Sequence, residues 1–137
     1  MKNIFLVFVL GLFLNLNATS EKFIKQMNYE DNYKIALEKA KKANKPIMMV
    51  VSQVTCPWCR KLERQTLKKQ KINTLIKENF VALSVDKDKL NYPKKFEVKV
   101  VPTIFFINSK DETIIKKILG YKNKKDFIEI LEKVLSK

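Results

Sequence analysis

The two cysteines of this chain, Cys56 and Cys59, are the residues whose type and spacing point most directly to chemistry. They enclose Pro57 and Trp58 in a C-x-x-C pattern that follows the apolar run 46–51. This run predicts a buried strand, and Pro57 suits the first position of a helix. A C-x-x-C pair between a strand and a helix is the context of a dithiol–disulfide redox centre.

The position of each cysteine predicts its role. Cys56 should lie at the helix N-terminus, where unpaired N–H groups and the helix dipole favour the thiolate, so we expect it to be the attacking nucleophile. Cys59, one turn further along, should be more buried and resolve the mixed disulfide. The alternative is a static disulfide, but a bridge closing so short a loop constrains little of the unfolded chain.

Length and composition predict one globular domain with a strongly basic charge. The chain has 137 residues, with 28 Lys and Arg against 14 Asp and Glu, a formal net charge of +14. The lysines are scattered among acids, which indicates solvated faces rather than a nucleic-acid footprint and leaves an acidic protein partner open. Histidine is absent, which excludes a histidine base or metal ligand.

The start of the chain has the features of a targeting segment. Lys2 precedes an uncharged apolar run at 4–14, and a short polar stretch ends at Ala18. We expect cleavage after Ala18 and a periplasmic mature protein, although the size of Leu16 leaves an uncleaved anchor as the alternative. The predicted parts of the chain are a signal peptide at 1–18, an N-terminal extension at 19–28 and one domain at 29–137.

Periodicity and turn residues predict an α/β fold whose central mixed sheet has four to five strands, with helices on both faces. The predicted strands are an edge strand at 23–27 and strands at 47–52, 80–85, 103–107 and 112–119. The predicted helices are one starting at Asn28, one at 57–70 that continues through 71–78, a short one within 91–97, and a last one starting at Asn123.

This order resembles the thioredoxin fold over about residues 29–136. The resemblance is carried by the C-x-x-C pair, by Val101-Pro102-Thr103 before a hairpin strand and by Gly120 before the last helix. It implies an exported, bacterial, thioredoxin-like thiol–disulfide oxidoreductase that needs no cofactor or metal. The expected partners are proteins with disulfides or thiols and a membrane electron donor. We expect a monomer acting in the reductive direction.

The resemblance also implies further site residues. Pro102 matches the family's cis-proline beside the sulfurs, although the sequence alone favours an ordinary trans bond. Val101 and Thr103 would then pair with an extended substrate segment. Trp58 would present its ring outward as a contact surface, and Pro57 would border the same surface, although a role only as helix starter fits equally.

Several positions depart from cytoplasmic thioredoxins. Val50 stands where they have a buried aspartate, Thr55 replaces the tryptophan before the first cysteine, and Ala82 is near the position of their lysine. Proton transfer at Cys59 must therefore use water or another acid, for which Glu63 is the candidate. We expect an intermediate redox potential, because no histidine lies between the cysteines.

Two alternatives stay open. One is a binding or redox-sensing module of the same fold without turnover. The other is a metal or iron–sulfur carrier, which would need further ligands from a second chain or from glutathione because two thiolates do not close a tetrahedral site.

Overall fold

The computed structural model of this chain describes residues 18–137, with side chains from residue 21. The predicted signal peptide therefore lies outside the described residues, apart from Ala18. The helices are α1 (Ala18–Met27), α2 (Tyr33–Ala43), α3 (Pro57–Leu62), α4 (Gln70–Asn79) and α5 (Lys124–Leu135), with a π-helical turn at Glu63–Leu67 and a 3₁₀ turn at Lys94–Phe96. The strands are β1 (Ile47–Ser52), β2 (Val81–Asp86), β3 (Thr103–Ile107) and β4 (Ile114–Leu119). Within this part of the chain, no helix is long and apolar enough to span a bilayer.

The four strands form one mixed sheet in the order β2-β1-β3-β4. Strand β1 runs parallel to β2 and antiparallel to β3, and β4 completes an antiparallel hairpin with β3. Every residue of β1 and β3 is buried, as expected for central strands covered on both faces. The predicted mixed sheet of four to five strands with flanking helices is confirmed, with four strands.

Alternate side chains of the sheet enter two apolar cores, one on each face. Helix α2 covers one core, whose members include Ala36 and Ala40 of this helix and Met49 and Phe105 of the sheet. The other four helices contribute to the second core, whose members include Phe23, Met48, Leu62, Ile72, Ile76, Phe106, Phe127 and Leu131. Burying a side chain of this size contributes about 1.5–3 kcal/mol, so the two cores hold the sheet rigid beneath the cysteines.

The edge strand predicted at 23–27 is wrong, because these residues lie in helix α1. Phe23 and Met27, four positions apart, both point into the second core, with 2% and 5% of their surface exposed. A short stretch that alternates in polarity can also present an apolar pair at helical spacing, and burial of that pair decides the outcome. Among residues 18–137, the sheet is extended at this edge by one isolated parallel bridge, between Glu30 and Leu83.

The helix start predicted at Asn28 is also wrong. Asn28 has a left-handed φ of 56° and follows the end of α1, a position that asparagine tolerates. Helix α2 begins instead after Asn32, whose side chain accepts a hydrogen bond from the Ile35 amide at 3.1 Å. The start predicted at Asn123 for the last helix is confirmed, with a bond of 2.9 Å from the Asp126 amide.

The long helix predicted at 57–70 is interrupted. It passes into a π-helical turn after Leu62, and Lys69 is extended, with ψ of 132°, before α4 begins. Leu62 and Leu67 are five residues apart and both fully buried. An α-helix would point them to different sides, whereas the wider π turn brings residues five apart onto one side. Packing of this pair accounts for the interruption.

Candidate active site

The cysteine pair lies where β1 ends and α3 begins. Cys56 is the N-cap of α3, with extended φ and ψ of −109° and 102°, and Pro57 occupies the first turn. The Cys59 amide donates to the Cys56 Sγ at 3.1 Å, and the two sulfurs form a disulfide across Cα atoms 5.2 Å apart. In the reduced protein the same N–H group would stabilise a Cys56 thiolate, as a donor at a helix N-terminus does.

The two sulfur-bearing residues differ in exposure in the predicted sense. Cys56 retains 7% of its surface and Cys59 only 1%. Pro57 is exposed and Trp58 is 55% exposed, so Trp58 presents its ring outward beside Cys56. Both cysteines are thus buried, and Cys56 is the more accessible of the two.

The Val101–Pro102 peptide bond is cis. Thr103, the first residue of β3, lies opposite Val51 near the C-terminal end of β1. Pro102 therefore lies at the same end of the strands as the loop that carries the cysteines. The Gly120 amide donates to the Pro102 carbonyl at 2.8 Å, which joins the turn after β4 to the segment that carries the cis-proline. The cis-proline expected from the resemblance is thus present, at the end of the strands where the cysteine loop begins.

The two neighbours of Pro102 have different surroundings. Val101 is half-buried at the surface, whereas Thr103 is fully buried between β1 and β4. The Thr103 hydroxyl donates to the Val100 carbonyl at 2.6 Å. Val101 is therefore the neighbour with surface available to a substrate segment, and pairing of substrate with Val101 and Thr103 stays a prediction.

A buried carboxyl lies one turn after Cys59. Glu63 is 6% exposed and pairs with the Arg60 guanidinium at 2.9 Å, which in turn donates to the Ser52 hydroxyl at 2.7 Å. Burial raises the pKa of Glu63 to about 7, against the opposing effect of the Arg60 and Lys68 charges. A carboxyl with this pKa can exchange a proton near neutral pH.

Glu63 is on the same side of the helix as Cys59, because its amide donates to the Cys59 carbonyl one turn earlier. The strand positions that hold an acid and a lysine in cytoplasmic thioredoxins are apolar here, with Val50 buried at 2% and Ala82 packed against the same core. Glu63 is the acidic residue nearest to Cys59 in sequence, and the helix places it on the same side as Cys59.

The sequence did not reveal two further residues of this surface, Lys61 and Tyr121. The Tyr121 ring lies 5.7 Å from that of Trp58, and the Lys61 ammonium lies over both rings. Lys61 follows Trp58 at helical spacing, which is a usable signal, but nothing local in the sequence indicates that Tyr121 reaches this helix. In the part of the chain that the structure describes, no three Cys, Asp or Glu residues are grouped as a metal site.

A family described as "Thioredoxin-like domain" matches residues 33–135. Among solved structures, a thioredoxin from Thermus thermophilus has a TM-score of 0.68 at 22% identity, covering 78% of this chain and 86% of its own. A DsbH oxidoreductase gives 0.65 at 19%, covering 78% and 83%. The oxidised C-terminal domain of Neisseria meningitidis DsbD gives 0.62 at 20%, covering 77% and 97%. At these identities the likeness shows the fold.

Curated relatives match over a shorter stretch. Spermatogenesis-associated protein 20 of Rattus norvegicus is 43% identical over 53 residues, which is 39% of this chain, and the human protein of the same name is 40% identical over the same length. This chain spans only 7% of the length of these relatives.

The thioredoxin-like fold and the C-x-x-C pair together support thiol–disulfide oxidoreductase activity.

Proposed function

The chain belongs to the thioredoxin-like family, and from this premise we propose that it is an exported thiol–disulfide oxidoreductase that reduces disulfides in other proteins. The observation that carries the proposal is the asymmetry of the pair: Cys56 accepts the Cys59 amide and retains 7% of its surface, whereas Cys59 retains only 1%. A static bridge does not require one of its two cysteines to be the more accessible, next to an exposed aromatic ring.

The first step uses the reduced protein. The Cys56 thiolate attacks one sulfur of a substrate disulfide, a bond forms between the two sulfurs, and the other substrate sulfur leaves as a thiolate that takes a proton from water. The helix N-terminus and the Cys59 amide stabilise the attacking thiolate. Trp58 and the Val101 surface hold the substrate segment beside it.

The second step releases the substrate. Cys59 loses its proton, attacks the Cys56 sulfur, and forms the intramolecular disulfide while the second substrate thiolate leaves. Two electrons have then passed from the dithiol to the substrate. We assign the acceptor of the Cys59 proton to Glu63, because its pKa of about 7 makes it a base at neutral pH and it lies one turn further on the same helix.

The export and the direction of reaction rest on the sequence. The apolar leader with Lys2 supports passage across a membrane into the periplasm, either with cleavage after Ala18 or as an anchored protein. The absence of histidine between the cysteines supports a reductant over a strong oxidant. A periplasmic reductant needs an electron source to restore its dithiol, and we propose a membrane electron donor for this role.

The test is a trapping experiment with single-cysteine variants. Cys59→Ser should accumulate a mixed disulfide with substrate through Cys56, because the resolving step is lost, and Cys56→Ser should form none. Equilibration of the native protein with a thiol buffer should give a potential near about −250 mV. Substrate binding that persists unchanged in Cys56→Ser would instead identify a binding module, and a potential near about −150 mV would reverse the proposed direction.

A further inference from the structure

A lysine ammonium lies over two neighbouring aromatic rings, one of which belongs to the residue between the two cysteines. The Lys61 Nζ lies 4.7 Å from the centroid of the Trp58 ring and 4.9 Å from that of Tyr121. We call these three residues the rim cluster. Each ring attracts the ammonium, so the two contacts together favour one position of the charge, next to Trp58.

Two hydrogen bonds join the turn that carries Tyr121 to the π-helical turn that follows Lys61. The Tyr121 hydroxyl donates to the Gln65 side chain at 3.3 Å, one turn beyond Lys61 on the helical run. The buried Thr66 hydroxyl donates to the Lys122 carbonyl at 2.7 Å and so ties the turn that carries Tyr121 to the π-helical turn. The rim cluster is therefore a built feature that joins the active-site helix to the turn after β4.

The chain segments that contain the rim cluster, the cysteine pair and the cis-proline are strongly cationic. The segments 54–69, 98–103 and 116–125, which contain the cysteine pair, the cis-proline and the Tyr121 turn, hold eleven Lys and Arg residues and one acid. That acid is Glu63, which is buried and paired with Arg60. At the same end of the sheet as the cysteine pair, Asp86 and the exposed Asp88 lie at the end of β2, where Asp88 accepts a hydrogen bond from Gln53. A partner that approaches the three cationic segments meets positive charge with no exposed acid from them, which favours an anionic surface on the partner.

We propose that the rim cluster recognises an aspartate or glutamate next to the reacting cysteine, so that the substrates are acidic, extended segments of disulfide-bearing proteins. The inference rests on the proposed function. Trp58 lies between the two cysteines in sequence, so a group that contacts the rim cluster lies beside the sulfur under attack. A carboxylate there pairs with an ammonium whose position the two rings already favour, which reduces the ordering cost of the contact. This placement favours a substrate segment over a lipid surface or a nucleic acid.

The experiment compares two short synthetic peptides that each contain one disulfide. In one the residues flanking a cysteine are Asp and Glu, and in the other they are Asn and Gln. We expect kcat/KM for the acidic peptide to exceed that for the neutral peptide by about fivefold at low ionic strength, with the ratio approaching one at about 0.5 M salt. Lys61→Met should remove most of this ratio, and Lys61→Arg should keep it, because a guanidinium also stacks on rings and binds carboxylates.

The matched control is Lys41→Met, which removes the same charge from exposed α2 on the other face of the sheet. An equal loss of discrimination in Lys41→Met and Lys61→Met would overturn the proposal in favour of diffuse net charge. Equal reduction of both peptides by the native protein would overturn the proposal directly. If the protein then also bound anionic phosphatidylglycerol vesicles, the cationic surface would be identified as a membrane-binding surface instead. Reduction of neither peptide would contradict the proposed function itself.

Discussion

Replacing Glu63 with glutamine tests the electrostatics of the site most directly. The carboxyl is 6% exposed, and burial raises its pKa from 4.5 to about 7 despite the nearby Arg60 and Lys68 charges. Burial and the Glu63 charge also raise the pKa of Tyr29, so that phenol stays protonated throughout this range. The amide introduced by Glu63→Gln would keep the shape of the side chain and an oxygen that accepts from Arg60, but it cannot ionise.

The raised pKa of Glu63 makes the folded protein lose stability as the pH rises. Between pH 4.5 and about 7 the folded state retains the proton of Glu63 whereas the unfolded chain has released it. The free energy of unfolding therefore falls across this window as the pH increases. At about 1.4 kcal/mol per pKa unit, the shift from 4.5 to about 7 corresponds to a loss of about 3 kcal/mol, complete above about pH 7.

The assay is urea unfolding of the oxidised protein and of Glu63→Gln at about pH 5 and about pH 8. The stability of the variant relative to the native protein should rise by about 2–3 kcal/mol between the two conditions, because a small part of the loss has already occurred at about pH 5. Glu132→Gln, which removes an exposed carboxyl from α5, should show no such change. A relative stability of Glu63→Gln that is independent of pH would refute the reasoning, because Glu63 would then be ionised throughout and its pair with Arg60 would outweigh burial.

Three further changes test the packing and hydrogen bonds that position the site. Phe23→Ala should cost about 3–5 kcal/mol in urea unfolding, because this fully packed ring joins α1 to the core; a loss below about 1 kcal/mol would show that α1 unfolds separately. Thr66→Val should cost about 1–3 kcal/mol by leaving the Lys122 carbonyl unsatisfied, and Thr66→Ser, which retains the hydroxyl, should recover part of it. Asn32→Ala should lower stability by about 1 kcal/mol through loss of the bond from the Ile35 amide, with peptide reduction unchanged at temperatures where the variant is folded.

Much of the fold could be predicted from local patterns because its central elements are unambiguous. The run that becomes β1 is apolar at every position but its last, and the first five residues of the hairpin, Thr103–Ile107, coincide with the predicted strand. The cap at Asn123 follows from side-chain chemistry within one turn. Such signals depend on neighbours in sequence, and the structure alters only their ends by one or two residues.

The errors fall where tertiary packing decides between local options. The stretch from Phe23 to Met27 alternates in polarity like a strand, yet burial of its two end residues in one core makes it helical. No glycine or proline near Leu62 indicates in the sequence that the helix is interrupted there. The interruption is fixed by the need to bury Leu62 and Leu67 on one side, which only the assembled core imposes.

Some residues of the candidate site are positioned by local sequence and others by tertiary contacts, and only the first group could be predicted. Cys56, Cys59 and Glu63 lie on one short helical run, so their spacing alone places the nucleophile, the resolving thiol and an acid on successive turns. Tyr121 reaches the same surface only because Gly120 bonds to the Pro102 loop and Thr66 bonds to Lys122. The redox chemistry is thus specified locally, whereas the surface that selects a substrate is assembled by contacts distant in sequence. Substitutions in the Tyr121 turn should consequently change substrate choice while leaving the reactivity of the cysteine pair towards small thiols intact.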